Sequence, residues 1–295
     1  MYAPSISTIT GAVTSNDGTA IGYSKFGEGP SLVLLHGSLS SSQHLMELGR
    51  ALADGFTVYI PDRRGRGTSG PIGSGYCLER EVEDLTAMLF KSQARIAFGV
   101  GTGGLILLQA LMVYSGLRKI ALYEPPLDVD GSLIETLAPV MRRYEKELAK
   151  GQMAEALTTV MKGWGMLPNT IVGKLPRFLL ERSFKQAMAQ EKEEFTPSET
   201  ALESLIPMQS YDYKLMVESK GTLESYRIAH AEVLLLGGSK TPAMLKNTLD
   251  KLENVIPHAR RIELKGMGHT GPAGHDGEPD KVAAVLREFF GPRTM

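Results

Sequence analysis

A chain of 295 residues, 42% apolar and 22% charged, is long enough for one large domain or for a core domain carrying an insert. A formal net charge of -1 without any Lys/Arg run argues against nucleic acid or an anionic membrane as the main partner. Cys77 is the sole cysteine, which excludes an intrachain disulfide; no apolar run nears the ~20 residues of a membrane span, and the first residues lack a basic-then-apolar leader, so a cytoplasmic protein is expected.

Taken in chain order, the N-terminal part reads as strands. Thr8–Thr14 and Ala20–Lys25 alternate in polarity and are joined by Ser15-Asn16-Asp17-Gly18, a hairpin signal. Ser31–Gly37 (SLVLLHG) is a continuous apolar run, the pattern of a strand buried on both faces. Leu45, Leu48, Ala51 and Leu52 follow at helical spacing, and Phe56–Asp62 reads as the next buried strand. Leu78–Leu89 is an amphipathic helix, Arg95–Gly99 a strand, Leu105–Met112 a buried helix and Lys119–Pro126 another strand. Strands alternating with helices at this spacing predict a mostly parallel sheet covered on both faces. From Val129 to His230 no buried strand is expected; amphipathic helices rich in Leu and Met are broken by Pro168, Pro176, Pro197 and Pro207. The strand pattern resumes at Glu232–Pro242, then come a helix over Ala243–Leu252, the strand Arg260–Leu264 and a closing helix over Lys281–Phe290. The expected organisation is a core of residues 1–128 and 231–295, with a helical cap of residues 129–230 over the carboxyl ends of the strands, where open α/β sheets bind ligands.

The stretch Phe98–Leu108 (FGVGTGGLILL) carries the chemistry. A strand enters a glycine-dense corner and leaves as an apolar helix, the outline of a turn that normally presents a catalytic serine in the pattern G-x-S-x-G. Gly99 and Gly103 are the outer glycines, so Gly101 stands where the serine would. Glycine leaves such a turn intact and removes the hydroxyl, and with it the usual acyl-enzyme route.

Four segments in order make the chain resemble the α/β-hydrolase fold family: LLHGS (Leu34–Ser38), PDRRGRGTSG (Pro61–Gly70), GVGTGG (Gly99–Gly104) and GMGH (Gly266–His269). The resemblance runs from about Gly18 to Phe290 and implies an eight-stranded, mostly parallel sheet flanked by helices. It implies an oxyanion hole from the backbone N–H groups of Thr102 and of the Ser38–Leu39 turn, and His269 as the catalytic base. The usual acid position, after the strand at Glu232, holds Lys240. Glu124 and Asp212 are then equal candidates to orient His269, against a structural corner for the first and a helix N-cap for the second.

Other residues receive quieter readings. His36 is expected to hold the oxyanion loop and to border the pocket. His275 reads as solvated, and Asp62, Arg63, Arg64 and Arg66 as structural ties. Trp164 and Met161, with Met153, Met166, Met188 and Met208, could roof an apolar pocket, although each alone fits ordinary packing. No histidine or cysteine spacing suggests a metal, and no cofactor is expected. Three functions fit: a nucleophile-less hydrolase of an apolar ester, lactone or thioester; a lyase, cyclase or cofactor-free oxygenase using His269; and a non-catalytic binding protein. A small apolar molecule is the expected partner, and a homodimer stays open.

Overall fold

The computed structural model describes residues 7–167, 174–194, 200–274 and 277–291. Pro168, Pro197 and His275, singled out in the sequence, lie outside the described residues. Eight strands form one sheet in the order β1-β2-β4-β3-β5-β6-β7-β8. They are β1 (Ile9–Thr14), β2 (Ala20–Phe26), β3 (Ser31–Leu35), β4 (Thr57–Pro61), β5 (Ile96–Val100), β6 (Lys119–Tyr123), β7 (Glu232–Gly238) and β8 (Arg260–Leu264). The β1–β2 and β2–β4 pairs are antiparallel and the other five are parallel. The first pair is the hairpin expected at Ser15–Gly18, where Gly18 takes φ 87° and its N–H donates to Ser15 O.

Side-chain parity divides the core. Val33, Leu35, Ala97, Ile120, Leu122, Val233 and Leu235 face one side of the sheet, under α2 (Leu78–Ser92), α3 (Thr102–Val113) and α9 (Ala243–Val255). Their neighbours Leu32, Leu34, Phe98, Ala121, Tyr123, Leu234 and Leu236 face the other, under α1 (Met46–Leu52) and α10 (Pro279–Phe290). A strand whose two faces are both covered has no reason to alternate, which is why these strands read as continuous apolar runs. Helix α3 starts three residues earlier than its apolar stripe predicts, because the glycine corner itself supplies the first turn.

Between β6 and β7 the described residues are helical: α4 (Ser132–Leu148), α5 (Met153–Gly163), α6 (Arg177–Glu194), α7 (Leu202–Leu205), α8 (Met208–Glu218) and a 3-10 turn over Leu223–Ile228. Leu133, Leu137, Met141, Tyr144, Leu157, Trp164, Met188, Leu215 and Met216 join the same apolar cluster as α2, α3 and α9, so these helices share the core of the sheet. They also touch loops at the carboxyl ends of the strands: Gln43, after β3, donates to Thr200 O, and Asp212 of α8 meets Arg63 and Arg66, after β4. Among the described residues no helix is long and apolar enough to cross a membrane.

Candidate active site

Strand β5 ends at Val100, and the chain turns at Gly101 with φ 51° and ψ -122° before α3 begins. Glycine takes such angles freely, whereas a residue with a side chain holds them with strain of roughly 1–3 kcal/mol. The corner is pinned on both sides: Gly101 N–H donates to Tyr123 O at 2.8 Å, and Gly101 O accepts from Leu105 N–H at 3.1 Å. It is also crowded. A Cβ on Gly103 would stand 2.5 Å from the carbonyl oxygens of Leu35 and His36, and one on Gly37 would stand 2.9 Å from Val100 O. The loop after β3 and the loop after β5 therefore touch backbone to backbone.

His269 reaches this corner from the loop after β8. A Cβ built on Gly101 lies 3.4 Å from both Nε2 and Cε1 of its ring. On the far side of the ring, Nδ1 lies 2.7 Å from Glu124 Oε2. A carboxylate only accepts, so this partner assigns the proton to Nδ1 and leaves the Nε2 lone pair facing Gly101. The geometry is that of a base with an orienting acid.

Glu124 follows β6 with φ 49°, fully buried. Its Oε1 accepts from Gly238 N–H at 3.0 Å and from the Thr241 hydroxyl. Burial pushes its pKa upward, but the hydrogen bond and charge of His269, with the Thr241 and Gly238 donors, outweigh that and hold it below the ordinary 4.5. Two further contacts fix the histidine loop: the Tyr123 hydroxyl donates to Gly268 O at 2.6 Å, and Lys240 N–H donates to Met267 O at 2.9 Å. The Lys240 side chain itself is exposed, so the position after β7 contributes backbone and the acid comes from β6.

Two backbone segments meet at this corner. Thr102 opens α3, where a first-turn N–H has no intrahelical acceptor. Leu39, in the loop after β3, holds φ 48°, a left-handed angle costly for a branched side chain. The Ser38 and Thr102 hydroxyls lie 2.7 Å apart and bond each other.

The structure separates the two candidate acids. Asp212 does not serve His269, and it is no N-cap, since it lies inside α8. Its carboxylate accepts from Arg63 Nη2 at 2.7 Å and from Arg66 Nη2 at 2.9 Å. Burial opposes its charge, and the two guanidinium groups outweigh burial and lower its pKa. Nearby, Arg63 also meets Glu81, Arg64 meets Asp84 and Asp17, and Asp62 accepts from Ser42 N–H and Thr68 N–H. His36 is likewise corrected as a pocket wall. It is fully buried, Nδ1 donates to Gly37 O at 3.0 Å and Nε2 accepts from Arg63 N–H at 3.0 Å, so both ring nitrogens are spent on the loop. Trp164 is buried in the shared core cluster, and Met161 packs against that cluster half-buried.

Sequence reasoning missed Tyr123 and Thr241. Tyr123 is the last residue of an apolar strand and reads as core, which it also is; only the register of β6 beside β5 shows its carbonyl on the elbow. Thr241 follows Lys240, so a donor one residue beyond the usual acid position was the available signal. Among the described residues no group of three or more His, Cys, Asp or Glu could hold a metal ion. A cleft of about 500 Å³ bordered by His230, Glu232, His258 and Arg260 lies at the amino ends of β7 and β8, whereas the dyad lies beyond the carboxyl ends of β6 and β8.

Residues 32–285 match the model of the alpha/beta hydrolase family. A non-heme haloperoxidase of Rhodococcus erythropolis is 35% identical over 95 residues, a match spanning 31% of this chain and 35% of that protein. An alpha/beta hydrolase from Sphaerobacter thermophilus is 30% identical and superposes with a TM-score of 0.75 over 95% of this chain and all of its own. Two more distant structures share the fold: epoxide hydrolase A from Mycobacterium thermoresistibile (19% identical, TM-score 0.69, covering 96% of this chain and 98% of its own) and an esterase from Exiguobacterium antarcticum (16%, 0.67, 95% and 99%). With the eight-stranded sheet, the glycine corner and the histidine loop in family order, the chain belongs to the alpha/beta hydrolase family.

Proposed function

We propose that the protein binds a small-to-medium apolar ester, lactone or thioester at a serine-hydrolase site whose nucleophile position is Gly101. One observation carries this reading: a Cβ on Gly101 would lie 3.4 Å from His269 Nε2, whose Nδ1 is held at 2.7 Å by Glu124. That is the relation a nucleophile and its base need. The N–H groups of Thr102 and the Ser38–Leu39 turn would take the charge that develops on the carbonyl oxygen. Residues 129–230 act as a cap, with Trp164 and Met161 on its apolar side. The experiment is Gly101→Ser. The variant is expected to hydrolyse p-nitrophenyl esters and to accumulate a covalent acyl adduct on the chain. A folded Gly101→Ser protein that neither acylates nor hydrolyses them would overturn the reading.

The directed Nε2 lone pair also favours a second reading, proton transfer by His269 in a non-hydrolytic lyase, cyclase or cofactor-free oxygenase. There, His269→Ala abolishes turnover of the true substrate and Gly101→Ser does not improve it.

A further inference from the structure

A base oriented by a buried carboxylate has a purpose only if something stands in front of it to lose a proton. In this chain the residue in front of His269 contributes no hydroxyl, yet the orienting apparatus is complete: Glu124, Thr241, Gly238 and Tyr123 all act to hold the ring. The position a Cβ would take on Gly101 makes only ordinary contacts beyond its chain neighbours, with the His269 ring edge at 3.4 Å and Gly37 Cα at 3.8 Å. A free oxygen cannot take that bonded position; to serve Nε2 it stands farther from Gly101, about 3.3 Å from its Cα and about 2.9 Å from Nε2. The hydroxyls that could compete, Ser38 and Thr102, are bonded to each other.

We propose that the space above Gly101, in front of His269 Nε2, binds the attacking nucleophile itself, a water molecule or another small neutral nucleophile, and that His269 activates it for direct attack on the acyl carbon without a covalent intermediate. The inference rests on the acyl-substrate reading above. The steps balance as follows. One O–H bond of water breaks and its proton passes to His269 Nε2. The water oxygen forms a bond to the acyl carbon, and the carbonyl electron pair moves onto the oxygen held by the Thr102 and Ser38–Leu39 amides. The carbonyl re-forms, the bond to the alkoxide or thiolate leaving group breaks, and Nε2 returns its proton to that group. One water is consumed, and a carboxylic acid and an alcohol or thiol are produced. Attack by water gains less than attack by an alkoxide, so the route selects acyl groups whose leaving group is already acidic: thioesters and aryl or enol esters. In serine enzymes stripped of their nucleophile, the remaining site still gives roughly 10³–10⁴-fold catalysis over water.

The test uses the full chain with p-nitrophenyl acetate and S-phenyl thioacetate. The unaltered protein is expected to release the leaving group roughly 10³-fold faster than buffer, with no acyl adduct by intact mass. His269→Ala should remove about 10²-fold or more of that rate. Gly101→Ala places a methyl 3.4 Å from Nε2 and should lower it at least about tenfold with an unchanged circular dichroism spectrum. Hydroxylamine added to the unaltered protein should speed leaving-group release and yield the hydroxamate, a readout that stands even if Gly101→Ala fails to fold. An acyl adduct on the unaltered chain, a folded Gly101→Ala as fast as the parent, or release insensitive to hydroxylamine would each overturn the inference. A parent no faster than buffer, beside a Gly101→Ser protein that acylates, overturns this inference and leaves the acyl-substrate reading standing. Failure of both the parent and folded Gly101→Ser overturns that reading too.

Discussion

Glu124 and Asp212 make an instructive pair. Both carboxylates are buried, and both are held below their ordinary pKa by partners that outweigh burial. The surroundings differ in one respect. Around Asp212 the main partners are cations, the side chains of Arg63 and Arg66, and the charges are spent inside the cluster. Around Glu124 the partners are two fixed donors and one imidazole, and the imidazole passes the influence outward to a lone pair facing Gly101. The first arrangement fastens α8 to the loop after β4; the second aims a base. A buried acid is thus structural or functional according to whether its last partner has a second, unspent face.

The largest expected effect concerns that outward face. In the Gly101→Ser background, Glu124→Gln should cost about 10³–10⁴-fold in ester turnover, as when a buried triad acid becomes an amide and the histidine takes the wrong tautomer. Steady-state rates with p-nitrophenyl acetate measure it, and a change under tenfold would erase the distinction. Next comes the inward-facing acid. Asp212→Ala leaves two buried guanidinium groups, Arg63 and Arg66, with Glu81 as their one remaining carboxylate partner and should destabilise the fold by about 3–5 kcal/mol, read from urea unfolding. If Glu124→Gln destabilises as much, the two sites are alike after all.

The smallest effect is one of pH. Burial first, then the nearby Arg66 and Arg63 charges, pushes the His36 pKa well below 6.5. Between 6.5 and that lower value the unfolded chain binds a proton that the native chain does not. The stability His36 contributes is complete above about pH 6.5 and is lost as pH falls toward the native value. His44, lowered chiefly by burial, acts with the same sign. Urea midpoints between pH 7 and pH 5 should therefore decline, less steeply in His36→Asn. An equal slope would mean that neither burial nor the arginine charges hold this imidazole below its ordinary pKa.

Much of this architecture was legible in the residues. The apolar runs at Ser31, Phe56, Lys119 and Glu232 placed buried strands to within a few residues, because burial on both faces leaves the same mark wherever it occurs. Gly101 and His269 could be paired in advance because each sits in a local motif. The acid could not, because a carboxylate's partner depends on where residues 145 apart in the chain come to lie, and neither Glu124 nor Asp212 carries a local signal of its neighbours. His36 misled in a different way: its position beside the oxyanion turn suggested the pocket, while the Arg63 amide that consumes Nε2 comes from the next strand's loop.

Glu124 leaves the sheet on β6, the strand paired with the one that delivers Gly101. The gap between acid and elbow is therefore a rung of the ladder, about 4.8 Å wide in any parallel sheet, and Tyr123 carries the same ruler across to the histidine loop through Gly268. Shifts of the helices between β6 and β7 have little leverage on this spacing. Substitutions in residues 129–230 should thus leave Glu124, Gly101 and the His269 loop in register.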